Sequence, residues 1–345
     1  MPPLRQEISS LAWTKHAGFH LVVAAAVSLF CLFVLQAFPT TASSNLPTLS
    51  ARGSIEAPGG SCKFQYLLVD DGGRRLLATD KAKASLTILD LNTNFVQSIP
   101  TGACRGVAID RAMHQIYVGD VDGKLICLSY DIFKVQKEIK TPGPIDAITV
   151  DTKRHLIYAD NDGGKYVWVI NPKSGKIIST IDIGGIPAVV LYDPATDKIY
   201  LNDKTQSFVL VIDPNTFKIS AKWSTHRASK LRGLAIDTRG HLLFAAGHTG
   251  NLSIIEMNTG QLVRSINIAD GVDQIAYDQE TERVFCACST GTICVFDNKN
   301  LDEVAENVVA PPGTHTIALD PKTHDVWISY VENGRSYFRR YAQAP

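Results

Sequence analysis

An all-β fold, a seven-bladed β-propeller with four-stranded blades, is predicted by three features of the 345-residue sequence. The first is a repeat. Seven apolar runs (YLLVD, GVAID, AITVD, VVLYD, GLAID, QIAYD and TIALD) end at Asp70, Asp110, Asp151, Asp193, Asp237, Asp278 and Asp320. They recur every 40 to 44 residues, and a steady period of that length marks a repeat array. The second is what each period contains: four short β-like segments and no sustained helical periodicity. The third is how the array ends. The last period stops after three segments, and GSIEAPGG (residues 53–60) resembles the missing fourth.

The unit that starts at Pro187 shows the segments most plainly. AVVLYD is followed by a Pro194-Ala195-Thr196 turn, then KIYLND, FVLVID and FKISAKW. Val, Ile, Tyr and Phe suit a pleated, half-buried surface. Asp193-Pro194 starts a turn, because Asp caps it and Pro fixes its first torsion. Many runs are apolar on both alternating faces, so each sheet is expected to be covered on both sides, as in a radial stack of blades. Ser54–Ala57 is predicted to complete the last blade by pairing near Tyr337–Tyr341, which removes an open sheet edge.

The first 42 residues read differently. Arg5, Lys15 and His16 precede an apolar run from Leu21 to Phe38, and small residues follow to Ala42. That order predicts export, through either a cleaved signal peptide or an uncleaved N-terminal membrane anchor. Both place the rest of the chain outside the cytoplasm, periplasmic or secreted. Residues 43–52 read as a flexible Pro/Ser/Thr-rich tether and 53–345 as the propeller. Lys and Arg balance Asp and Glu at 34 each, so no basic excess points to nucleic acid. The membrane enters only through the N-terminal segment.

An exported chain can form disulfides. Cys62 and Cys104 occupy similar points of neighbouring repeats and are the best candidate pair; Cys127, Cys286, Cys288 and Cys294 read as buried thiols inside strands. His114, His155, His241 and His324 fall in the turns after the motif aspartates and read as solvated turn residues. Trp168, Trp223 and Trp327 are expected to pack between blades.

Gly185-Ile186-Pro187, Asp193-Pro194, IYLND and VLVID, with IYVGD, LIYAD and VWVINPKSGKIISTIDIGG elsewhere, resemble the repeat of the bacterial YVTN-repeat, or YncE-like, propellers. The resemblance covers about residues 53–345. Units one, six and seven depart most: Asp70 is followed by Asp71-Gly72 and Asp278 by Gln279. The resemblance implies an extracytoplasmic binding module, while related folds include lactonases and accessory chains of quinoprotein dehydrogenases. Fold alone does not carry function.

Propeller ligands usually sit at a mouth of the central channel, and the repeat indexes the positions that reach it. Five residues before each motif aspartate stand Gln65, Arg105, Asp146, Ala188, Arg232, Asp273 and His315. Such a polar ring suits a small ligand of mixed charge, with Arg gripping carboxylate or phosphate and His315 able to change charge near neutral pH. The competing reading makes Arg105–Asp146 and Arg232–Asp273 simple salt bridges between blades. Asp80, Asp120, Asp160, Asp203 and His248 in the second-to-third strand loops are weaker metal candidates, suited to Ca²⁺ if their oxygens converge; no other cofactor is predicted. No catalytic motif stands out. The readings left open are a binding scaffold for a small polar ligand or a protein partner, a lactonase- or hydrolase-type enzyme using His315 and the acidic residues, and an accessory or adhesion module.

Overall fold

The structure, a computed structural model, describes residues 48–299 and 306–344; the predicted export segment lies outside the described residues. All regular structure among the described residues is β: 28 strands in seven antiparallel four-stranded sheets. Each of the first six sheets takes its strands in chain order, so each blade is a meander of three hairpins. The innermost strands are Tyr66–Asp70, Cys104–Asp110, Ile145–Asp151, Pro187–Asp193, Leu231–Asp237, Val272–Asp278 and Ile317–Leu319, defining blades 1 to 7 in that order. Each contacts the next, and the seventh contacts the first. The ring is closed.

Closure uses the predicted strand, five residues longer than expected. Leu49–Ala57 pairs antiparallel with Arg335–Gln343, with Ile55 opposite Phe338 and Leu49 opposite Gln343. Residues 49–52, read as tether, therefore belong to the sheet. Leu49 is buried in the apolar layer between blades 6 and 7, which outweighs the linker-like composition around it.

The core consists of seven apolar layers, one between each pair of neighbouring blades. Alternation along a strand explains this. In Lys198–Asp203, Ile199 and Leu201 enter the layer shared with blade 3, and Tyr200 the layer shared with blade 5. Both faces are buried, so the strand reads as a continuous apolar run. Trp168, Trp223 and Trp327 join these layers, as expected.

The disulfide candidate is corrected. All six cysteines among the described residues are free thiols and buried. Cys62 lies in the layer between blades 7 and 1, whereas Cys104 lies between blades 1 and 2. The sheet of blade 1 separates them, and the Cys104 thiol donates to the Ser85 carbonyl at 3.0 Å.

The motif aspartates have a local cause. All seven are buried and accept amides of the turn that follows, as Asp151 does from Lys153 and Arg154 at 3.0 Å each and Asp237 from Arg239 and Gly240 at 3.1 and 2.9 Å. Four residues after each stands a non-glycine with positive φ: Arg74, His114, His155, Asp197, His241, Glu282 and His324. Two of the turn histidines are not merely solvated. His155 Nδ1 lies 2.7 Å from Asp110 Oδ2 and His324 Nδ1 3.0 Å from Asp278 Oδ2, each reaching back to the preceding blade. Arg111 bonds Asp70 at 2.8 Å, and Arg74 bonds Asp320 at 2.6 and 2.7 Å across the closure. The turn face is laced by pairs between neighbouring blades.

Candidate functional site: a charged cup at one channel mouth

The opposite face carries the indexed ring. All seven positions, Gln65, Arg105, Asp146, Ala188, Arg232, Asp273 and His315, line one cavity of about 370 Å³. Consecutive residues line it together in four blades: Gln65-Tyr66, Asp146-Ala147, Ala188-Val189 and Asp273-Gln274. A regular strand would send such neighbours to opposite faces. The reason they share a cavity in blades 3, 4 and 6 is a β-bulge. In blades 2 to 6 the inner strand carries one extra residue against its partner at this point, as between Ile145 and Ile148 or Val272 and Gln274. Bulges bend a strand and re-aim its side chains. At Gly106 the neighbouring inner strand passes so close that a Cβ would stand 2.6 Å from the Asp146 carbonyl oxygen.

Charge in the cup is balanced and paired. Arg105 meets Asp146 at 3.2 Å and Asp162 at 2.8 Å, and Arg232 meets Asp273 at 3.0 Å. The pairs bridge neighbouring blades and also wall one cavity. The Nε atoms of Arg105 and Arg232 are buried without a partner. Lys204 completes three cations facing three carboxylates.

Two cup residues, Asp162 and Lys204, were missed by the sequence reading. The indexing chose Asp160 and Asp203, at or next to the end of the second strand, whereas the residue one or two positions later reaches the cavity. Asp203 caps its own loop and Asp160 holds amides of the inner strand, and neither lines the cavity.

The five metal candidates are each engaged by backbone groups. Asp80 accepts the Lys83 amide at 2.9 Å, Asp120 those of Asp122 and Lys124 at 3.1 and 2.9 Å, and Asp203 those of Thr205 and Gln206 at 3.0 and 3.1 Å. Asp160 accepts the Asp146 and Ala147 amides at 2.9 and 2.6 Å, beneath the blade 3 bulge. His248 Nδ1 engages the Val272 carbonyl at 3.1 Å. Among the described residues no three metal-ligating side chains converge. Burial, then the nearby Asp146 charge, pushes the Asp160 carboxyl well above the usual carboxylate range.

His315 is buried, and its Nδ1–H donates to the Gly313 carbonyl at 2.9 Å. Burial first, and Lys63 second, lower its pKa below the ordinary imidazole value. Both causes favour the neutral imidazole. Gln274, also unforeseen, closes the floor. Its Nε2 donates to the Leu67 carbonyl at 2.7 Å, and its Oε1 accepts the Leu67 and Ile317 amides at 3.2 Å each. One amide side chain thus ties blade 6 to blades 7 and 1.

No protein-family model matches the sequence, and no curated protein matches it. Among solved structures, a hydrazine synthase chain from Kuenenia stuttgartiensis has a similar fold, with a TM-score of 0.72 and 15% sequence identity, over 81% of this chain and 96% of that one. At that identity the likeness establishes the seven-bladed propeller fold and nothing of the chemistry.

Proposed function

We propose that this chain is an exported binding scaffold, of the YVTN-repeat, YncE-like kind, that holds a small ligand of mixed charge in the cup. The observation that carries the reading is the convergence of all seven indexed positions, with three cations and three carboxylates, on one cavity. The net charge there is zero with His315 neutral, so a ligand bearing both a carboxylate and an ammonium group suits it better than a simple anion. Guanidinium groups grip carboxylates through planar, charge-assisted hydrogen bonds. Both arginines retain a buried Nε–H without an acceptor, and such groups are costly to leave unpaired. Support for export is the order of charge, apolar run and small residues in positions 1–42.

A thermal-melt screen of the wild type and an Arg105→Ala/Arg232→Ala variant against small zwitterions, carboxylates and amines tests the proposal. Zwitterions are expected to stabilise the wild type most. The variant should lose about 1.5–3 kcal/mol of binding per charged hydrogen bond removed. Equal responses of the two proteins would reduce the ring to architecture. N-terminal sequencing of protein from fractionated cells tests export: Met1 retained on soluble cytoplasmic protein would refute it.

A further inference from the structure

A second cavity shares a wall with the cup. It lies where the ring is closed, between blades 7 and 1, has a volume of about 150 Å³, and is lined by Cys62, Phe64, Pro312, Tyr330 and Val331 together with His315. His315 lines both cavities. The side pocket exists because this junction departs from the repeat. The inner strand of blade 7 has only three residues, Ile317–Leu319, so loop residues around Cys62–Phe64 and Pro312–His315 face the paired strand residues Ser329–Val331 across the pocket.

Its chemistry differs from that of the cup. Phe64 is buried and stacks on Phe338 with ring centroids 4.9 Å apart, which fixes one wall. The Tyr330 hydroxyl is engaged by Ser54 and Arg339, at 2.9 Å each, so its polar end is already satisfied. Burial, and then a hydrogen bond to Asp80, pushes the Cys62 thiol up to about 12; it remains neutral. Lys63 is the one charged residue among the lining groups, and a lysine stem packs on apolar surface while its ammonium stays in water. An apolar cavity of roughly 150 Å³ holds one benzene-sized group.

We infer that the ligand of the cup carries an apolar substituent, up to about one aromatic ring in size, which passes His315, the residue common to both cavities, and seats in the side pocket. The class is a small zwitterion with a branched aliphatic or aromatic side group. The inference rests on the reading of the cup as the binding site for the charged end. A neutral imidazole suits the partition, because a charged one would oppose passage of an apolar group.

Isothermal titration of the full-length protein with glycine, L-leucine and L-phenylalanine tests it, with Val331→Phe as the variant that fills the pocket. Val331 is partly exposed at the pocket rim, so the added ring does not crowd the core. L-leucine or L-phenylalanine is expected to bind at least tenfold more tightly than glycine, and V331F should remove that gain without changing glycine binding. Equal affinities for the three, or a gain that survives V331F, would overturn the inference while leaving the cup as a site for charged heads. If none of the three binds, the reading of the cup fails and takes the inference with it.

Discussion

Arg74 clasps Asp320 across the point where the propeller closes, and its removal is expected to loosen that closure measurably. The pair is bidentate, at 2.7 and 2.6 Å, and the Asp320 side chain is 2% exposed against 16% for Arg74. Removing one partner of a buried pair costs about 3–5 kcal/mol, because the other is left charged and dry. The partial exposure of Arg74 puts Arg74→Ala near the lower end, about 3 kcal/mol. For a propeller of this size that lowers Tm by roughly 6 °C. Burial alone would raise the Asp320 carboxyl, but Arg74, the Lys322 amide and the Thr323 hydroxyl outweigh it and hold the group below its usual range. A depressed carboxyl contributes stability that is present above its unfolded value, about 3.9, and lost as pH falls through the folded one. The R74A penalty should therefore be constant near neutrality and shrink below about pH 4. Urea unfolding of wild type, R74A, Asp320→Asn and the double variant gives the coupling; D320N keeps the oxygen that caps the turn. A coupling below about 0.5 kcal/mol, or a penalty independent of pH down to 3, would refute the reasoning.

Two further outcomes follow from the fold. Deleting residues 49–57 exposes the edge of Arg335–Gln343 and should promote aggregation of the propeller, read by light scattering at fixed concentration; a monodisperse deletion product would contradict the closure argument. Gly106→Ala forces a Cβ against the Asp146 backbone and should destabilise by about 1–3 kcal/mol through overpacking, with weaker ligand response in the same melt; an unchanged midpoint would show that the inner strands can part there.

Much of this fold was legible because the repeat is written in turn chemistry. Each motif aspartate must cap the turn after the inner strand, so the residue type recurs wherever the turn recurs. Closure was legible for a similar reason: a blade with three segments leaves an edge, and GSIEAPGG supplied the fourth. What escaped the sequence depended on contacts across blades. Leu49 reads as linker until Gln343 is seen opposite it. His155 and His324 read as solvated until partners 45 and 46 residues earlier, in the preceding blade, come within hydrogen-bond reach. The ring positions were found by counting back from the aspartates. The bulge that gathers them was not, because a count by residue number does not reveal where one strand holds an extra residue against its partner. Gln274 was passed over on the same account: simple alternation assigns it to the face opposite Asp273, yet both line the cup.

The two faces of the ring differ in how much freedom the repeat leaves them. On the turn face a carboxylate is required in every blade, since it satisfies buried amides that would otherwise be costly, and all seven units carry Asp there. Five residues earlier the same units carry Gln, Arg, Asp, Ala, Arg, Asp and His. In blades 2 to 6 these side chains stand at a bulge, outside the regular pairing. A repeat fold can therefore vary this ring without disturbing its blades, and an asymmetric cup can arise from units that are otherwise alike. The same argument locates the side pocket. The junction broken by the short inner strand of blade 7, at the start of blade 1, is also where the cup gains an apolar neighbour. Departures from the repeat, rather than the repeat itself, are where ligand discrimination is to be sought.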